Sequence, residues 1–218
     1  TGTDYINGGL GADTIDPGLS GDIVALTETT ASADIVLINE LTDGGVYFDG
    51  ADSDGVINGL TAGQDVTESA ATTFGTGDFI SGFTIGTDVI QIGGNLKAAL
   101  EASGATAIIS AAGGNDHNAQ GILIIDNGVA TTADFGDISD VAADIDTAFA
   151  GGANGAAGDE MIVVLSNTGN TQKGIYYFKD ADGNADLGAD ADDSLALLAI
   201  VDHGTAGDFL ATSVVVTA

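Results

Sequence analysis

Cysteine is absent from the 218 residues, which excludes a disulfide framework and any thiolate metal site. Arginine is absent as well, and lysine occurs only at Lys97, Lys173 and Lys179. Three cations cannot build a phosphate-neutralising surface, so nucleic acid is excluded as a partner. The bidentate arginine clamps of phosphoryl-transfer sites are excluded with it. No apolar run approaches the roughly 18–20 residues of a bilayer-spanning helix, so no membrane insertion is expected, and no signal-peptide pattern opens the chain. Catalytic signatures are missing: no H-E-x-x-H, G-x-S-x-G or P-loop pattern occurs. The two histidines, His117 and His203, lie far apart and read as solvated loop residues. Carboxylate pairs of the glycosidase kind carry no specificity among so many acids. The chain is therefore expected not to be an enzyme by itself.

What is present is acid. Thirty-three acidic residues give a formal charge of −30, yet 44% of residues are hydrophobic and mean hydropathy is +0.27. A disordered acidic tail would lack that apolar content, so a folded domain with an acidic surface is expected. The acids are skewed, with 28 Asp against five Glu. Short carboxylates in tight glycine turns suit calcium loops. A halophilic or marine surface is the competing explanation. Self-repulsion of such a charge opposes compaction unless cations offset it.

The opening residues run in nines. Gly2-Thr3-Asp4-Tyr5-Ile6-Asn7 is followed by Gly8-Gly9-Leu10-Gly11-Ala12-Asp13-Thr14-Ile15-Asp16, then by a worn copy, Pro17-Gly18-Leu19-Ser20-Gly21-Asp22-Ile23-Val24-Ala25. Asp recurs at 4, 13 and 22, and an aliphatic residue at 6, 15 and 24. Gly2 and Gly11 align with Ser20, and Gly9 with Gly18. Glycines admit turn angles closed to other residues, Asp supplies a hard oxygen, and the aliphatic residue ends each turn as a short strand aimed at a shared core. The middle copy fits G-G-x-G-x-D-x-U-x throughout and resembles the calcium-binding nonapeptides of RTX exoproteins. Thr1 falls inside the phase, so the chain is expected to be the C-terminal piece of a longer protein.

A second resemblance lies at Gly77-Asp78-Phe79-Ile80-Ser81-Gly82-Phe83-Thr84-Ile85-Gly86-Thr87-Asp88-Val89-Ile90-Gln91-Ile92. It is similar to the segment that closes the β-roll in serralysin-like proteases and other RTX exoproteins. Phe79, Phe83, Val89 and Ile92 are expected in the core. Asp78 and Asp88 sit at turns, either as packing residues or as ligands of a last calcium ion. The end, Gly207-Asp208-Phe209-Leu210-Ala211-Thr212-Ser213-Val214-Val215-Val216-Thr217-Ala218, resembles an uncleaved type I secretion signal and also reads as a last β-strand.

Between these segments strands are expected at Ile23–Leu26, Ile35–Leu41 and Val46–Phe48. Helices are expected near Leu96–Ala102 and Ile138–Phe149, the second with Ile138, Val141, Ile145 and Phe149 on one face. Hairpins are expected from Ala107–Ser110 with Ile122–Ile125, and from Met161–Leu165 with Ile175–Phe178. Asp49–Gly55 is an acidic turn, equally readable as solvated loop or ion site. Gly151–Gly158 reads as a flexible break. Asp180, Asp182, Asn184 and Asp186 imitate the start of an EF-hand. Ala185 stands where that loop needs glycine and Ala191 where it needs glutamate, so it is at most a weak ion-binding loop.

The expected architecture is mostly β. A short parallel β-roll (1–26) leads into a β-sandwich or β-rich domain with one or two short helices (27–150), then a C-terminal hairpin region (151–218). The resemblance implies Ca²⁺ as the bound ion, held at Gly2, Asp4, Gly9, Gly11, Asp13, Gly18, Ser20 and Asp22, with Asp78, Asp88 and the 180–186 loop as further candidates. It implies a secreted protein at the cell surface. Three uses fit: a self-assembling S-layer or fibre subunit, the secretion tail of an RTX hydrolase, or the terminal module of a large adhesin. The first is favoured, as a homo-oligomer or polymer with calcium bridging acidic faces.

Overall fold

The aliphatic positions of the nonapeptide phase become the inward-facing residues of very short strands. The computed structural model describes residues 2–39, 47–48, 77–102, 107–111, 120–125, 131–132, 135, 138–149, 158–180, 194–210 and 212–216. The first elements are β1 (Tyr5–Asn7), β2 (Thr14–Ile15), β3 (Ile23–Ala25), β4 (Ile35–Ile38), β5 (Tyr47–Phe48), β6 (Asp78–Ser81), β7 (Val89–Ile92) and α1 (Gly94–Ala102). They are followed by β8 (Ala107–Ala111), β9 (Gln120–Ile125), β10 (Thr131–Thr132), α2 (Ile138–Phe149), β11 (Glu160–Asn167), β12 (Gln172–Lys179), β13 (Ser194–Asp202) and β14 (Val214–Val216). The described residues are mostly strand, with two helices, as the sequence led us to expect.

The chain passes back and forth between two sheets. β1, β3, β6 and β13 are parallel neighbours in a ten-stranded sheet, and β2, β4, β7 and β14 are parallel neighbours in a four-stranded one. Each coil gives one strand to each sheet, which makes a parallel roll of four coils. Register places Ile6, Val24, Ile80 and Val201 in one row and Ile15, Val36, Ile90 and Val214 in another. All eight belong to one core, Ile6 at its margin. Burying each such side chain stabilises the fold by roughly 1.5–3 kcal/mol, which is how strands of two to four residues persist.

The fourth coil comes from the far end of the sequence. Between β7 and β13 the chain extends the larger sheet through β12, β11, β9 and β8, with β5 and β10 beside it. β11 is buried along its length, its residues alternating between two cores. Ile162 and Val164 face the roll core, where Leu96 and Leu100 of α1 also pack. Met161, Val163 and Leu165 face α2, which contributes Val141, Ile145 and Phe149 from the face read in the sequence. The larger sheet crosses residue 26 through the β3–β6 pair and residue 150 through the β9–β11 pair, so neither expected boundary interrupts it.

Three expectations need comment. β11 and β12 form the expected antiparallel hairpin. β8 and β9 instead pair parallel, Ile109 opposite Leu123. Alternation of apolar residues marks a strand but carries no information about its direction, and the Gly/Asn-rich residues between the two suggested a turn. Asp49–Gly55, Gly151–Ala157 and His117 lie outside the described residues.

His203 is half-buried rather than solvated. Its Nδ1 meets the Thr205 carbonyl at 2.9 Å, its Nε2 is enclosed, and its ring lies 5.9 Å from that of Phe209. On the same Phe209 ring, 5.7 Å away, rests the Nζ of the fully buried Lys173, which donates to Ser166 Oγ and Asn170 Oδ1, both at 2.6 Å. Burial pushes the His203 imidazole below its ordinary range; the Lys173 charge adds to this, while the Thr205 carbonyl and Asp202 oppose it. The unfolded chain therefore takes up this proton first, and stability is lost as pH falls from about 6.5 toward the lower folded value. Melting temperatures in chelator at pH 7.5, 6.5 and 5.5 should fall across that window, and His203→Gln should flatten the fall. An unchanged pH profile in the variant would place its origin in other groups.

Candidate metal centre

The aspartates of the repeat stand immediately before the strands and tie coil to coil. Beside the larger sheet, the Asp4 N–H donates to Asp22 Oδ1 at 2.6 Å, and the Asp22 N–H to Asp78 Oδ1 at 2.8 Å. Beside the smaller sheet, the Asp13 N–H donates to Asp34 Oδ1 at 2.9 Å, and the Asp34 N–H to Asp88 Oδ1 at 3.1 Å. Asp22, Asp34, Asp78 and Asp88 are all buried. A side chain this short accepts the neighbouring amide without leaving its own strand start, which suits Asp better than Glu.

Glycine makes the turns that lead into β1, β2 and β3. Gly2, Gly9, Gly11 and Gly18 have φ between 84° and 99°, in the left-handed region. Ser20, standing where the other copies have Gly2 and Gly11, is held at φ 91°. One tie was not foreseen. Glu28 accepts the Gly11 N–H on Oε1 and the Ser32 N–H on Oε2, both at 2.7 Å, and so fastens the turn before β2 to the turn before β4.

The structure thus gathers Asp4, Asp22 and Asp78 into one ladder, and Asp13 and Asp88 into another through Asp34. Sequence reading missed Asp34 because it follows Asp22 by twelve residues and falls out of the nine-residue phase. Its signal was there: an acid followed by two apolar residues, as in Asp22-Ile23-Val24, Asp78-Phe79-Ile80 and Asp88-Val89-Ile90. Asp180 is buried after β12 and joins neither ladder; Asp182, Asn184 and Asp186 lie outside the described residues.

Does this arrangement suit a cation? Asp22 Oδ2 is buried and accepts no hydrogen bond. An unsatisfied buried acceptor costs about 1–3 kcal/mol, and more when charged. A hard cation such as calcium, which takes six to eight oxygen ligands, is a partner such an oxygen could accept. Burial pushes the Asp88 carboxyl above its ordinary range, against the hydrogen bonds from Thr84 and Asp34, and the charges of Asp34 and Glu28 push the same way. Among the described residues, no three His, Asp or Glu side chains stand close enough to hold an ion alone. Main-chain and hydroxyl oxygens would have to complete any shell, as they do in hard-cation sites.

Comparison with known protein families, with curated proteins and with solved structures returns no match.

The strain at Ser20 is testable. Ser20→Gly keeps the main-chain carbonyl and removes a left-handed non-glycine residue, so it should raise stability by about 1 kcal/mol. Urea midpoints in chelator would measure it; a loss of stability would mean that the hydroxyl is needed.

Proposed function

We propose that this chain is a calcium-binding, calcium-folded domain of an extracellular protein, secreted by a type I route, whose work is structural assembly at a cell surface rather than catalysis. The observation that carries the reading is Asp22 Oδ2, a buried carboxylate oxygen with no donor, inside a ladder of aspartates. Asp22 would hold the ion, with main-chain oxygens of the turn at Gly18 and Ser20 completing its shell. The ion supplies positive charge where the roll stacks carboxylates, and the protein supplies the turn that positions them.

Magnitudes decide what such a site does. With a dissociation constant near 10⁻⁴ M, within the range of extracellular modules, a site stabilises the fold by about 2.7 kcal/mol at about 10 mM calcium. At sub-micromolar cytosolic calcium it contributes almost nothing. Two or three sites rival the roughly 5–15 kcal/mol stability of a whole domain. The chain would then stay loose inside the cell and fold outside. Between copies, the same ion bridges acidic surfaces that otherwise repel, which favours the assembling subunit over the other uses of the same chemistry.

Size-exclusion chromatography with light scattering, in chelator and in about 10 mM calcium, tests both halves. An expanded monomer that becomes mass-growing oligomers is the expected result. Contraction to a compact monomer would keep calcium-driven folding and remove the assembly. No change in size, mass or melting temperature would overturn the reading.

A further inference from the structure

The turn before β4, residues 26–34, contains no glycine and nothing of the nonapeptide pattern. It nevertheless packs closely on the turn before β7: a Cβ on Gly82 would lie 2.6 Å from Thr27 Oγ1. Between the two turns is a cavity of about 100 Å³, lined among others by Thr27, Glu28, Ser32, Asp34, Thr84 and Asp88. Its lining contains three carboxylates and no basic side chain. Asp34 and Asp88 are only 2% and 3% exposed.

The carboxylates are not loose. Both oxygens of Asp88 hold main-chain amides, Asp34 N–H on Oδ1 and Thr84 N–H on Oδ2. Both oxygens of Glu28 do the same, with Gly11 and Ser32. Each of these oxygens keeps a second lone pair. Asp34 differs: Oδ1 holds the Asp13 N–H, while no described group donates to Oδ2, although the residue is buried and lines the cavity. Asp34 Oδ2 is thus an acceptor without a donor on a residue only 2% exposed, and Glu28, Thr27, Ser32 and Thr84 line the same cavity, which offers a cation oxygen ligands of the kind it takes.

We propose that this cavity is a cation site of its own, separate from the glycine turns, with Asp34 Oδ2 and Glu28 as its acidic ligands and a hard divalent cation, calcium by preference, as its occupant. Calcium tolerates six to eight oxygens in irregular geometry, whereas magnesium requires near-ideal octahedral geometry. For the identity of the ion this inference rests on the reading under Proposed function; for its position it rests on the cavity alone.

The test is the number of calcium ions bound by the full chain, counted by native mass spectrometry and titration calorimetry. Asp34→Asn and Glu28→Gln should each lose one ion relative to the wild type. Asp22→Asn should lose a different one, so that Asp22→Asn combined with Asp34→Asn loses both. A second readout leaves every ligand in place. The chain has no tryptophan and Ala31 is an exposed residue at the cavity, so Ala31→Trp with terbium as probe should give several-fold sensitised emission. Asp34→Asn in that background should abolish it. Unchanged ion counts in Asp34→Asn and Glu28→Gln, or no sensitised emission from Ala31→Trp, would overturn this site while leaving the Asp22 ladder standing. A wild-type chain that binds no calcium would overturn both.

Discussion

An aspartate carboxylate in each successive coil accepts the main-chain amide of the aspartate one coil earlier, and the roll is organised around that bond. It sets the register of β1, β3 and β6 on one side and of β2, β4 and β7 on the other. With that register, the aliphatic residue two positions on in each strand falls into line with its neighbours, and the core between the sheets closes. In the first coils glycine turns serve the same bond, Gly2, Gly9, Gly11 and Gly18 taking left-handed angles shortly before the acids.

This arrangement concentrates charge. Parallel strands are about 4.8 Å apart, so stacked carboxylates meet like charges at that spacing. At an effective dielectric of about 20, two unit charges so placed repel by roughly 3–4 kcal/mol. A hydrogen bond to a charged group contributes about 1.5–3 kcal/mol. The ladder bonds therefore do not offset the repulsion of the acids that make them. A chain of net charge −30 with three lysines has few cations of its own to set against that repulsion.

Much of this was readable in advance, and what was not has identifiable causes. The nonapeptide phase gave β1 to β3 because each copy carries its acid, its glycine and its aliphatic residue at fixed spacing. Helix α2 was readable because Val141, Ile145 and Phe149 repeat at helical period and the facing sheet is apolar. Asp34 and Glu28 were not, because Asp34 follows Asp22 by twelve residues where the repeat has nine, and the turn between replaces glycine contacts with a glutamate that bonds two amides. Strand direction at β8 and β9 was not, because alternation is the same in either direction. The origin of the fourth coil was not, because Val201 and Val214 reach their places by pairing with Ile80 and Ile90, more than a hundred residues earlier.

That last coil also marks where the ladder ends. Asp78 pairs with Ala199, so β13 brings no acid to the stack, and beside the smaller sheet the Asp88 N–H goes to the Thr84 carbonyl of its own turn. Coil four is held by burial: β13 lies between two cores and has β12 along one edge. Coil one is the opposite case. Its strands have two or three residues, and Tyr5 and Leu10 are 68% and 77% exposed. Support from the hydrophobic core thus declines from the fourth coil toward the first, while each of the first three coils brings two aspartates to the ladders and the fourth brings none. The ladders belong to the first three coils, and the sheet around β11, β12 and β13 is the platform on which those coils form.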